Sequence, residues 1–405
     1  MLSQAVGLKA GPLFSPKGWD KIARGNAPGG LYPRGPRMSV RFVMVGGFLG
    51  AGKTTALGRL ARMYQARGSR VGVVTNDQAH DLVDTNTFRA QGLATEEVPG
   101  ACFCCRFDDL VGKVGALSAA ERPDVILAEP VGSCTDLVAT VIQPLRDLYR
   151  GQFEVAPYPV FFKPSHGGRI LRDQPAGGFS PKAAYIFKKQ LEEADAVVLN
   201  RSDELAPAEL DELARLVGEQ FPGTPVLRVS AKTGAGFDAL LAFLDQTGPF
   251  GRKILDIDYD TYAAGEAELG WLNAAARLTA PAPFDLDALL TAILGRLAEA
   301  CGRLGGEVAH LKLIGTDDAG AFAVGNVVSS DTAAQLSLPS GVKPREADLI
   351  VNARVAIDPA VLEAEVRRVV TEEAARAGVA VEFRASQSLR PGRPVPTHRY
   401  TAAKG

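Results

Sequence analysis

The chain has 405 residues, 46% of them hydrophobic and 22% charged, with a formal net charge of −1. It is long enough for two or three domains, and its balanced charge gives no bulk attraction to nucleic acid or an anionic membrane surface. No apolar run reaches the length of a membrane span, and five cysteines, three of them inside four residues, do not make a disulfide framework, so a reducing cytoplasm is the expected setting.

Residues 1–38 contain Pro12, Pro16, Pro28, Pro33 and Pro36 among many glycines, and read as a disordered extension without the apolar core of a secretory signal. Met38 stands directly before the first strand and is a candidate natural start. From there strand and helix alternate. Strands are expected at 41–45, 70–75, 125–128, 155–162, 194–199 and 225–229, with helices between them, among them 53–66, 207–221 and 236–246. Such alternation predicts an α/β fold, a doubly wound and mostly parallel sheet with ligands at the carboxyl ends of the strands.

The first strand runs into Gly47-Phe48-Leu49-Gly50-Ala51-Gly52-Lys53-Thr54-Thr55, which fits the phosphate-binding loop pattern G-x-x-x-x-G-K-[ST]. Glycines let the backbone close around phosphate oxygens, and the helix that follows turns its positive end toward them. Lys53 is expected on the β- and γ-phosphates and the Thr54 hydroxyl on Mg2+. The next strand ends in Asn76-Asp77, where Asp77 is a candidate to orient the attacking water or join the Mg2+ shell. The polar stretch 78–86 reads as a switch loop. His80 within it reads as an ordinary surface residue rather than a ligand. Asp124-Val125-Ile126-Leu127-Ala128-Glu129 is an apolar strand ending in a carboxylate suited to Mg2+, and Glu129 opens the turn E-x-x-G whose Gly132 can approach a γ-phosphate.

Between these segments lie Cys102, Cys104 and Cys105. Three thiols in four residues can face one soft cation, and thiolates suit Zn2+ or Co2+. A fourth ligand has to come from water, a partner or a second subunit, which leaves room for a homodimer. Cys134 and Cys301 read as isolated core residues. Further on, Asn200-Arg201-Ser202-Asp203 ends a strand as N-R-x-D, and Ser230-Ala231-Lys232 follows the next strand. Asn200 and Asp203 would read a guanine ring and the Ser230–Lys232 loop would back it, which favours GTP over ATP.

The phosphate loop, the C-x-C-C cluster, E-x-x-G, N-R-x-D and S-A-K-T-G, in this order over about residues 40–247, resemble the CobW family. These are metallochaperone GTPases related to the nickel-insertion GTPases of urease and hydrogenase maturation. The resemblance implies GTP hydrolysis coupled to loading or release of a divalent metal for a client protein. Lys53 and Thr54 would serve phosphate and Mg2+, Cys102, Cys104 and Cys105 the metal, Glu129 the switch, and Asn200 with Asp203 the base. Two departures stand out. Ala101 precedes the first cysteine where the family has glycine, and Phe161-Phe162-Lys163-Pro164 replaces its usual valine–aspartate strand end. The competing class is a nucleotide-dependent interaction switch with structural cysteines, and a third is a phosphate-loop kinase.

The expected organisation is a GTPase domain at 39–250, a connector at 251–268, a C-terminal α+β domain at 269–389 and a basic, proline-rich tail at 390–405. Asp256, Asp258 and Asp260 alternate in the connector and suggest a solvated strand face. Strands at 271–278, 310–314, 322–328, 349–357 and 379–385, with helices at 286–300 and 359–377, predict a ferredoxin-like arrangement that CobW-type proteins share in general form. Nothing in that domain reads as catalytic. The tail, with Pro391, Pro394 and Pro396, suits extended docking on a partner or a surface course of its own.

Overall fold

The computed structural model describes residues 39–77, 83–174 and 180–404. The expected extension 1–38, Met38 and His80 lie outside the described residues, as does part of the 78–86 stretch. Strands buried on both faces need apolar residues throughout, and Val71–Asn76 and Val125–Glu129 are buried at every position. They form a parallel five-stranded sheet in the order Ala94–Val98, Val71–Asn76, Val125–Glu129, Val40–Met44, Phe153–Val155. A second parallel sheet runs Gly46–Gly47, Pro159–Phe162, Ala196–Leu199, Val226–Arg228. Only Val45 separates Met44 from Gly46, so the first strand feeds both sheets and delivers the phosphate loop at their junction.

The doubly wound α/β expectation holds, with local differences. The single strand expected at 155–162 is two, Phe153–Val155 and Pro159–Phe162, because Pro157 and Pro159 interrupt the ladder. Ala94–Val98 is a strand that the apolar pattern does not predict. It is an edge strand whose Thr95, Glu96 and Glu97 hide the apolar signature, and charge is how an edge resists further pairing. The connector holds a helix, Tyr259–Glu266, rather than a strand face. Asp258 caps it by accepting from the Asp260 N–H at 2.9 Å, so the acids fix a helix start.

In the C-terminal part, Gly270–Thr279, Leu286–Arg303, Val308–Asp317, Glu346–Val355, Pro359–Arg376 and Ala380–Leu389 make a βαββαβ unit. All neighbouring strands are antiparallel, in the order Val308–Asp317, Glu346–Val355, Gly270–Thr279, Ala380–Leu389, which is ferredoxin-like. The pair Phe322–Val327 and Gln335–Leu338 extends one edge to six strands. Period-2 alternation sorts the two faces. Leu272, Leu311, Leu313, Val351 and Ala353 pack with Leu290, Leu294 and Val366 of the two helices. Trp271, His310, Lys312, Asn352 and Arg354 occupy the other face and turn toward the phosphate loop. No helix among the described residues is long and apolar enough to cross a membrane.

Candidate nucleotide and metal site

Gly52 caps the helix Lys53–Ala66 with φ of 90°, in the left-handed region where an L side chain is strained. A Cβ there would also strike the Asn200 side-chain nitrogen. Gly47 and Gly50 also have positive φ, and the loop curls so that the Lys53 ammonium donates to the carbonyls of Gly47 at 2.7 Å and Phe48 at 3.4 Å. Burial lowers the Lys53 pKa, opposed by the Glu129 and Asp84 charges. Thr55 is exposed at the mouth, and it lines the same pocket as Gly50, Gly52, Lys53 and Thr54.

The Thr54 hydroxyl lies 2.6 Å from Asp84 Oδ1 and 2.9 Å from Glu129 Oε1. One hydroxyl proton serves two carboxyl groups, and the second oxygen of Glu129 is buried without a hydrogen-bond partner. Burial, with the Asp84 charge, pushes Glu129 up to about 7 against the pull of Lys53 and Lys312. Burial also raises Asp84, but the Lys312 ammonium outweighs it and leaves that carboxyl below its ordinary range. Two carboxyls and a hydroxyl, one oxygen of them unsatisfied, are the hard donor set that suits Mg2+, so the residues fit the ion. Asp77, expected here, is turned instead to the Arg354 guanidinium at 2.6 Å. Sequence reading missed Asp84 because it stands in an undistinguished polar stretch.

It also missed the wall opposite the phosphate loop. Lys312 donates to Thr54 Oγ1 at 3.2 Å and is ion-paired with Asp84, and Arg354 is ion-paired with Asp77. Both come from the sheet in which nothing looked functional. The only signal was polar residues interrupting apolar strands, His310-Leu311-Lys312-Leu313 and Val351-Asn352-Ala353-Arg354.

Asn200 is buried, and it donates to the Ala51 carbonyl at 2.8 Å and accepts from the Ala231 N–H at 3.0 Å. It thereby ties the phosphate loop to the Ser230–Lys232 loop. Ser230 is buried and its hydroxyl accepts from the Thr233 N–H at 3.0 Å, while Asp203 and Lys232 are exposed.

The ligand atoms of Cys102, Cys104 and Cys105 lie within 4.8 Å of one another. Cys134, read as an isolated core residue, is buried beside Cys102 and Cys104, but it is not one of the three cysteines whose ligand atoms converge. Sharing protons with its neighbour Cys104 and being buried push Cys102 up to about 11, so a metal would have to displace protons to bind. The loop is pinned by Asn76, whose amide donates to the carbonyls of Val98 at 2.7 Å and Ala101 at 2.6 Å, and whose oxygen accepts from the Phe103 N–H at 2.7 Å. Asn76 also lines the nucleotide pocket. The tail crosses the cluster on the same chain. The Val395 N–H donates to Cys105 Sγ at 3.3 Å and the Thr397 N–H to the Cys104 carbonyl at 2.8 Å.

Residues 41–228 match the CobW/HypB/UreG nucleotide-binding domain. The zinc chaperone YeiR of Escherichia coli (strain K12) is 29% identical over 180 residues, which are 42% of this chain and 49% of that protein. Urease accessory protein UreG 2 of Bradyrhizobium sp. (strain BTAi1) is 28% identical over 222 residues, 52% of this chain and 92% of that protein. The zinc chaperone CobW of Pseudomonas aeruginosa is 28% identical over 206 residues, 44% of this chain and 52% of that protein. The chain thus spans about half the length of the two zinc chaperones it matches.

Proposed function

From a chain whose residues 41–228 belong to the CobW/HypB/UreG nucleotide-binding domain family, we infer a GTP-hydrolysing metallochaperone of the cytoplasm that carries Zn2+ or Co2+ to a client protein. The observation that carries this reading is Asn76. It stands in the wall of the nucleotide pocket while its side chain holds the backbone on both sides of Cys102, so a change at one place is felt at the other. Gly132 gives a second link, since it packs against Leu49 of the phosphate loop two residues before Cys134.

In this mechanism Lys53 and the loop N–H groups bind the β- and γ-phosphates. Thr54, Glu129 and Asp84 would hold Mg2+, which when bound supplies charge neutralisation on those phosphates. Asp77, fixed by Arg354, orients water toward the γ-phosphorus. The water oxygen bonds to that phosphorus and the bond to the bridging oxygen of the β-phosphate breaks. GDP leaves, and the water proton departs with inorganic phosphate or to solvent. Asn200 and Asp203 would select guanine. The cargo metal is held by the Cys102, Cys104 and Cys105 thiolates, with the fourth position left to water or a partner.

The test is titration of Zn2+ and of Co2+ with GDP and with a non-hydrolysable GTP analogue. Metal affinity is expected to differ by about tenfold or more between the two states. It should be lost in the variant combining Cys102→Ala, Cys104→Ala and Cys105→Ala. Equal affinity in wild type and variant removes the chaperone reading and leaves the interaction switch. Lys53→Ala is expected to abolish turnover while nucleotide-free metal binding survives.

A further inference from the structure

The second face of the C-terminal sheet is unlike an ordinary solvated or helix-covered face. Its register sets Asn326, Lys312, Asn352 and Asn273 side by side across four strands, and His310, Arg354 and Trp271 across three. Asn273, Asn352, Lys312 and Arg354 are polar yet buried, with Lys312 only 8% and Arg354 only 3% exposed. Burying a lysine or arginine charge is costly unless it is closely paired. Both charges are paired, and both partners lie on the phosphate-loop side of the pocket rather than within the sheet.

Arg354 is held in place from three directions. Its guanidinium lies over the Trp271 ring at 4.2 Å from the centroid. It donates to the carbonyls of Leu272 and Ala353, both at 2.9 Å, and to Asp77. Lys312 is a mobile type of cation on a four-carbon stem, and it rests on Thr54 and Asp84. That is where a divalent cation is expected once nucleotide is present. Thr54 and Asp84 cannot keep both positive charges at contact distance, so the ammonium has to turn away. The γ-phosphate, in the pocket that Lys312, Arg354 and Lys53 line together, is the anion toward which it can turn.

We propose that Lys312 and Arg354 are γ-phosphate-binding residues, supplied to the nucleotide site by the C-terminal sheet of the same chain. The proposal rests on reading the pocket as a GTP site. It gives that sheet a defined task, which is to distinguish a nucleoside triphosphate from a diphosphate by whether Lys312 and Arg354 find a third phosphate group. It also places the completed site across two parts of the chain, so that triphosphate binding draws the sheet and the phosphate loop together.

The experiment is equilibrium binding of fluorescent GDP and of a fluorescent non-hydrolysable GTP analogue, with Mg2+, to the full chain. Wild type is compared with Lys312→Met, Arg354→Gln and Lys53→Ala, each checked for folding by thermal melting. Loss of one charge-assisted phosphate contact is expected to weaken triphosphate binding by about tenfold to a hundredfold in Lys312→Met and in Arg354→Gln. GDP binding should stay within about twofold of wild type, since GDP offers no γ-phosphate, whereas Lys53→Ala should weaken both nucleotides. Lys312→Arg should restore the preference for the triphosphate. Equal weakening of both nucleotides in Lys312→Met makes the lysine merely structural and overturns the proposal, as does no weakening at all. Should Arg354→Gln fail to fold, Lys312→Met alone decides. Absence of guanine-nucleotide binding in the wild type overturns the reading of the pocket itself, an outcome distinct from a loss confined to the variants.

Discussion

His166 shows what one buried side chain does to the pH response of the molecule. Its Nε2 lies 2.9 Å from Glu307 of the C-terminal part, and its ring is almost wholly enclosed. Burial lowers it to about 4, the Lys163 charge adds to the effect, and Glu307 and Asp331 oppose it. The unfolded chain takes up a proton at this residue below about pH 6.5, whereas the folded chain refuses one until about pH 4. Its stabilising effect is therefore complete above pH 6.5 and is lost as the pH falls from there to 4. The full span is on the order of 3 kcal/mol. Denaturant unfolding at a series of pH values should show His166→Gln losing less stability than wild type between pH 7 and pH 4.5. Parallel curves would mean that the histidine does not set this acid sensitivity.

At the scale of elements, the phosphate loop is placed by its neighbours as much as by its own glycines. Gly132, in the turn after the strand Val125–Glu129, packs so closely that an added Cβ would stand 2.9 Å from Leu49 Cδ2 and 3.0 Å from its backbone nitrogen. Gly132→Ala must push the turn off the loop, and a destabilisation of about 1–3 kcal/mol with weakened nucleotide binding is expected. Gly115, inside the helix Phe107–Ala120, makes the contrast, since a Cβ added there would meet nothing within 4 Å. Gly115→Ala should raise stability by about 0.5–1 kcal/mol, because it only restricts the unfolded chain and favours helix. Melting curves of the two variants check both signs, and a stable, nucleotide-competent Gly132→Ala would show that the turn and the loop are free to move apart.

At the scale of the whole molecule, the C-terminal end is folded back over the candidate metal site. Besides the contacts to Cys104 and Cys105, Arg399 is ion-paired with the buried Asp136 at 2.7 Å, and the Tyr400 N–H donates to the Ala139 carbonyl at 3.0 Å. The His398 ring packs edge-on against Phe107, with centroids 5.1 Å apart. Of the two courses open to the tail, docking on a partner or lying on its own chain, the structure takes the second. Removing residues 394–405 should therefore speed the reaction of Cys105 with a thiol reagent by about tenfold or more, since access then no longer waits for local opening. Unchanged thiol reactivity would show that the tail does not cover the sulfur in solution.

The sequence by itself determined what is local. Glycines, Lys53 and Thr54 within a few residues dictate a phosphate loop because the backbone geometry they need is contiguous, and three close cysteines can reach one another across a single turn. The alternation of apolar strands and helices was enough for the doubly wound sheet and the βαββαβ unit. The polar edge strand Ala94–Val98 escaped because four of its five positions are only half-buried and three of them carry polar or charged side chains, which leaves a weak apolar pattern. Only the tertiary structure decided that Asp84 rather than Asp77 stands at Thr54, and that Lys312 and Arg354 close the pocket. Each of those is a meeting of side chains far apart along the chain, Lys312 with Asp84 and Arg354 with Asp77 among them. Strand pairing and packing bring them together, and no spacing rule along the sequence encodes it.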